Sequence, residues 1–117
     1  MEEHAKKLTL NVAAVEHARK LIQEGKVNRT DDWASNNPDA HAQNAYLDNH
    51  SFADYGKWFL ATNNDSQEDV KEHYEFPYGN FNEVFRSGLI AAKQRAGQFK
   101  HTEIEQAASM LLAMLEK

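Results

Sequence analysis

The sequence predicts a mainly α-helical fold, a compact bundle of about four helices, with a short two-stranded β-hairpin as the one extended feature that residues 57–77 admit. Three observations predict it. Apolar residues recur at helical spacing toward both chain ends. Sixteen of the 117 residues are alanine, the strongest helix former. Ten of the twelve aromatic residues fall between Tyr46 and Phe85, which places the bulky part of a core in mid-chain. This length suits one domain, read as a flexible N-terminus over 1–8 and a single helical domain over 9–117. Leu, Ile, Val and Phe supply only 23 of 117 residues, so stability is expected to be modest and to rest on the rings.

The first helix is legible from its sidedness. Ala14, Val15, Ala18, Leu21 and Ile22 share one helical face, while Glu16, Arg19, Lys20 and Gln23 face water. Asn11 or Thr9 offers an N-cap, and Gly25 supplies the left-handed residue that ends the helix. Asn37-Pro38 reads as cap and first turn of a weakly amphipathic helix reaching about Asp48. Ser51-Phe52-Ala53-Asp54 has the form of a capping box, but Gly56 limits the length of any helix behind it, and 52–62 fits helix or strand. Lys57–Thr62 and Glu72–Pro77 are aromatic-rich and flank the polar stretch Asn63–Asp69, which makes them the candidate hairpin strands. Pro77-Tyr78-Gly79-Asn80 is a turn by composition.

Two further helices complete the pattern. One runs from Asn82 or Glu83 to Ala96, with Phe85, Leu89, Ala92 and Ala96 as its buried stripe. Gly88 would let a neighbouring helix approach, and Gly97 would end it. Thr102-Glu103-Ile104-Glu105 reads as a capping box opening the last helix. Its Ile104, Ala107, Ala108, Leu111, Leu112 and Leu115 fall within an arc of about 140°.

Composition bounds the function. The net charge is −5, and the absence of cysteine removes disulfides, thiolate nucleophiles and Cys-ligated metals. No apolar run approaches the roughly 20 residues of a membrane span. MEEHAKKLTL has no signal-peptide core, so the chain reads as soluble and cytoplasmic. Charge is uneven: residues 46–82 sum to −5 and residues 83–101 to +3. The simplest reading is mutual neutralisation inside one fold. A nucleic-acid-associated role for the basic helix 83–101, through Arg86, Lys93 and Lys100, is the alternative. It is disfavoured because Arg95 lies about 180° from Arg86 on the helix, whereas a phosphate-tracking surface needs its cations on one face.

Chemistry-bearing patterns are sparse. None of the six histidines pairs with another at i+3 or i+4, so no metal is expected. His17 borders the apolar face of the first helix and reads as a packed side chain. The oxygen-rich stretch from Asn63 to Asp69 matches no EF-hand register. No serine sits in a nucleophile elbow and the five glycines are isolated, so no catalytic residue or cofactor is expected.

The most distinctive constellation is aromatic: Trp58-Phe59, Tyr74, Phe76-Pro77-Tyr78, Phe81, then Phe85-Arg86. Most of these rings suit a small core. Tyr and Arg are also the residue types that anchor interfaces. The candidate partner-binding residues are therefore Trp58, Tyr74, Phe76, Tyr78, Arg86, Lys93 and Arg95, with Tyr78 and Arg86 foremost. Alanine at either is expected to leave the fold intact while weakening capture of a partner.

Tyr74-Glu75-Phe76-Pro77-Tyr78-Gly79-Asn80-Phe81, then Arg86-Ser87-Gly88-Leu89-Ile90-Ala91-Ala92-Lys93, resembles small uncharacterised bacterial proteins with a Tyr-Lys-Phe-Pro-x-Gly-Asp-Phe stretch ahead of an Arg-Ser-Gly-Leu-Ile-Ala-Ala-Lys helix. Tyr55-Gly56-Lys57-Trp58 resembles the same group, and Asn80 departs from its Asp. A fainter pattern over 55–115 is similar to the helical module attached to tailed-phage prohead proteases. The resemblance implies a recurring module of phage or mobile-element origin and supplies no reaction. The expectation is a non-enzymatic protein-interaction module with a protein partner, as monomer or homodimer.

Overall fold

Short strands punctuate the helices throughout the chain. The computed structural model describes residues 7–116, so the flexible end expected over 1–8 lies, up to residue 6, outside the described residues. The described elements are β1 (Leu8–Leu10), α1 (Val12–Gln23), β2 (Val27–Asn28), α2 (Ala40–Leu47), α3 (Phe52–Gly56), β3 (Phe59–Asn63), β4 (Tyr74–Pro77), β5 (Val84–Phe85), α4 (Arg86–Gln98) and α5 (Thr102–Leu115). A 3-10 turn at Lys71–His73 leads into β4. Strands β1, β3 and β4 form an antiparallel sheet in the order β1-β3-β4, and β2 pairs with β5 in parallel.

The mainly α expectation is thereby corrected to α+β. The hairpin segment holds β3 and β4, with Phe59 opposite Pro77 and Thr62 opposite Tyr74. The N-terminal Leu8-Thr9-Leu10 adds a third strand on the far side of β3, so the chain is ordered before the expected boundary at Thr9. Segment 52–62 is neither helix nor strand throughout. Ser51 caps α3 by accepting from the Asp54 N–H at 3.1 Å, and the chain then turns into β3.

Several termini differ from the expected devices. Asn11 sits at the N-cap of α1 but caps nothing with its side chain. Its Nδ2 donates instead to the carbonyls of Gly56 and Phe59 at 2.9 and 3.0 Å, tying α1 to the α3–β3 corner. Asp39, not Asn37, caps α2 by accepting from the Ala42 N–H at 2.9 Å. Glu83–Phe85 is not helical: Val84 and Phe85 form β5, and α4 starts at Arg86. At the start of α5, Thr102 is the first helical residue and His101 the cap, so the expected box does not form.

Both helix ends with clear stop signals close in the same way. After α1, Gly25 is left-handed at φ 79°, with Lys26 N–H bonded to Leu21 O and Gly25 N–H to Ile22 O. After α4 the left-handed residue is Lys100 at φ 61°, with His101 N–H on Ala96 O and Lys100 N–H on Gly97 O. Gly97 therefore does not end α4. A Cβ there would stand 2.9 Å from a Glu105 carboxylate oxygen, the movable end of a side chain on α5.

The core lies between the antiparallel sheet and α1, α4 and α5. Ala14, Ala18, Leu60, Ala61, Leu89, Ala96, Ala108 and Leu111 are all fully enclosed. The ring cluster is continuous with it: Tyr55 contacts Phe52, Phe59, Tyr74 and Phe81, and Trp58 stacks on Tyr78 at 5.7 Å. Burial raises the Tyr55 hydroxyl to a pKa of about 12. Helix α2 contributes no buried residue and is held through its edge, where Tyr46 stacks on Phe81 at 4.4 Å and Asn44 accepts from Lys71 at 3.0 Å.

Candidate functional site

The residues after Trp58 give β4 an unusual backbone. Phe76 lies within the strand at φ 65°, and Phe81 comes next in the left-handed region at φ 68°. Left-handed geometry costs a bulky residue roughly 1–3 kcal/mol, so packing must hold both in place. Tyr78 is fully buried, and its hydroxyl donates to Lys57 O at 2.6 Å. A Cβ on Gly79 would meet Glu83 O at 2.4 Å and the Trp58 ring at 2.7 Å, so only glycine fits. Asn80 closes the turn by accepting from the N–H groups of Asn82 and Glu83 at 3.1 and 2.8 Å, a task an Asp oxygen performs equally well.

This reversal carries the chain from β4 back to α4 and leaves an open cleft of about 700 Å³ between them. The outer strand β4 forms one wall with Tyr74 to Pro77, and α4 forms another with Ala91, Ala92 and Arg95. A third comes from the segment before α2, through Trp33 and Pro38. Trp33 is anchored against Phe85, with ring centroids 5.7 Å apart. Gly88 of α4 lets it in, since a Cβ there would lie 3.0 Å from the indole and 2.8 Å from Tyr78 O. The close neighbours of Gly88 are thus a loop tryptophan and a turn carbonyl, not the helix expected there.

The polar side chains of the cleft are distinct in character. Glu72 is exposed and Glu75 half-buried. Glu68 and Asp69 stand close enough to Tyr74 that their charges, after burial, push its hydroxyl pKa upward. That hydroxyl donates to Glu68 O at 2.7 Å. Asn63 is only 9% exposed; its Oδ1 accepts from the Asp65 N–H at 2.9 Å, and its Nδ2 has no acceptor among the described residues. Arg95 is exposed and lines the cleft, with its guanidinium 5.4 Å from the Phe99 ring centroid.

The residues singled out from the sequence divide into three groups. Tyr74, Phe76 and Arg95 meet in the cleft, although Phe76 is itself buried and faces His101 edge-on at 5.9 Å. Trp58 and Tyr78 are core residues with 4% and 0% exposure, so neither presents a surface to a partner. Tyr78, foremost among the expected contacts, is instead the ring on which the turn is built. Arg86 reaches the far end of α5, where its Nε lies 3.3 Å from a Glu116 carboxylate oxygen, and Lys93 is exposed away from the cleft lining. The basic side chains of α4 do not share one surface.

Trp33, Asn63 and Glu72 are cleft residues that sequence reasoning missed. A lone tryptophan in the polar stretch Thr30–Asn37 was a readable signal, because so large a ring in a loop must find an apolar seat. Asn63 and Glu72 carried none, since both belong to a polar segment whose path is set by the β3–β4 pairing.

His17 is the other polar group of note. Its Nε2 is buried without a hydrogen-bond partner among the described residues, and the ring meets Trp58 edge-on at 5.0 Å. Burial, then the nearby Lys57 and Lys20 charges, lower its pKa below the usual histidine value. Among the described residues, no group of three His, Asp or Glu converges to hold a metal ion, and no helix is long and apolar enough to cross a membrane. No protein family matches the chain, and no curated protein or solved structure matches it.

Proposed function

We propose that the protein is a binding module that engages a partner protein through the cleft between β4 and α4. The observation that carries this reading is the convergence of half-exposed rings, Trp33 and Tyr74, with carboxylates, an open amide and Arg95 around a cavity of about 700 Å³. Large rings anchored from behind bury area at little entropic cost, and a polar rim around them sets orientation. Trp33 is held by Phe85, and Tyr74 by its bond to Glu68 O, so both rings are fixed before a partner arrives.

The test uses partners retained by the immobilised protein, identified and then titrated by calorimetry against wild type and the double variant Glu72→Ala/Arg95→Ala. Both side chains are exposed, so the fold should be unaffected. Loss of about tenfold or more in affinity, the effect of removing interface anchors, is expected. Unchanged affinity would refute the reading.

A further inference from the structure

We infer that His17 is an acid-sensitive latch: protonation of its buried Nε2 frees Trp58 from α1 and loosens the turn at 78–81. The inference is independent of the reading of the cleft. It starts from a seam along α1. At the helix start Asn11 donates to Gly56 O and Phe59 O, and one turn on Ala14 O lies 3.5 Å from the Tyr78 hydroxyl. A further turn on, the His17 ring meets Trp58. Three contacts spaced three residues apart thus fasten one side of α1 to the α3–β3 corner and to the turn. Of the three helix residues, only His17 carries a group that changes charge in mildly acid solution.

The seat of His17 suits the neutral ring alone. A neutral imidazole carrying its proton on Nδ1 leaves only a bare acceptor at the unpartnered Nε2. The imidazolium carries a proton on both nitrogens, so it would bury a charged donor with nothing to accept it. Burial, then Lys57 and Lys20, oppose the charge, and Glu24 and Asp54 offset them only in part. Strands β3 and β5 and helix α5 also pack on α1, and apart from Asn63 their buried side chains are apolar. The charged ring therefore leaves its seat for water.

Trp58 transmits the change. Its ring stacks on Tyr78 at 5.7 Å, meets Phe81 edge-on at 5.9 Å and covers Gly79 closely enough to exclude a Cβ. Phe81 holds a left-handed backbone at φ 68°, which persists in phenylalanine only under packing. Once Trp58 moves, Phe81 loses one of the rings that keep it there.

The experiment follows the nitrogen-15-labelled protein from about pH 7.5 to about pH 4.5, across the range in which histidine changes charge. It reads the His17 ring shifts, the Trp58 indole N–H shift and amide protection factors. The indole should move with the His17 midpoint. Protection at Tyr78 and Asn80, whose N–H groups bond to Trp58 O and Glu83 O, should fall below that midpoint while α5 stays protected. The fall should be about three- to tenfold per pH unit, tenfold being the limit for one proton taken up on opening. In His17→Phe and His17→Gln, protection at these amides should not change with pH.

An indole that ignores His17, unchanged protection at Tyr78 and Asn80, or an equal fall in either variant would each overturn the inference. So would parallel loss of protection throughout α5, which marks unfolding of the whole chain rather than release of a latch. The wild-type measurements decide the matter even where a variant does not fold.

Discussion

Removing the Tyr78 hydroxyl, as Tyr78→Phe, separates the two roles that an aromatic at this turn could have. The ring is fully enclosed and its hydroxyl donates to Lys57 O at 2.6 Å. Losing that bond costs about 1 kcal/mol, and leaving the Lys57 carbonyl without its donor brings the total to about 1–2 kcal/mol. For a chain of this size each kcal/mol moves the midpoint about 4 °C, so Tm should fall about 4–8 °C. Tyr78→Ala removes the ring that stacks on Trp58 as well, at a cost of about 3–5 kcal/mol. That is a large share of the roughly 6–18 kcal/mol expected for a domain this long. Urea unfolding monitored by far-UV circular dichroism reads both, with the denaturant slope unchanged for Tyr78→Phe. A Tyr78→Phe midpoint equal to wild type, or a Tyr78→Ala protein of native stability, would refute the assignment of Tyr78 to the core.

Other positions carry their own expected outcomes. The lowered pKa of His17 in the fold means that the unfolded chain takes up a proton first as pH falls, so its contribution to stability is intact above about 6.5 and lost progressively below it. His17→Phe, which keeps the edge contact to Trp58, should flatten the decline in urea midpoint on acidification; an equally steep decline would contradict this. Lys100→Gly should raise stability by about 0.5–1 kcal/mol in thermal melts, because the exposed Lys100 sits at φ 61° closing α4. Gly79→Ala should cost at least about 1–3 kcal/mol, since the Glu83 carbonyl that the new methyl meets is backbone and cannot swing aside. Amides of α2, which buries none of its residues, should exchange hydrogen far faster than those of α5; comparable protection would show that α2 is held more firmly than its contacts indicate.

Sequence pattern resolved the parts of the fold governed by local period. The faces of α1 and α5 are those read from spacing, because Ala14, Val15, Ala18 and Leu21, and Ile104, Ala107, Ala108, Leu111 and Leu115, are buried as their periods required. The strands were harder for a physical reason. Leu8–Leu10 is too short to display an alternation, and Val27–Asn28 pairs with Val84–Phe85 across more than fifty residues of chain. Phe85 suited a helical stripe by spacing and is buried, yet it is buried from a strand. The same limit governs the cleft. Tyr74 and Arg95 were legible as residue types that bind. The way out of β4 passes through left-handed backbone at Phe76 and Phe81, and no residue type announces that conformation in phenylalanine.

A hydrogen-exchange footprint of the protein bound to its captured partner addresses the binding surface most directly. Slowed exchange concentrated in 33–38, 72–77 and 91–95 is the expected result, since these segments form the three walls of the cleft. Slowing confined to the outer faces of α1 and α5, with those three segments unchanged, would contradict it.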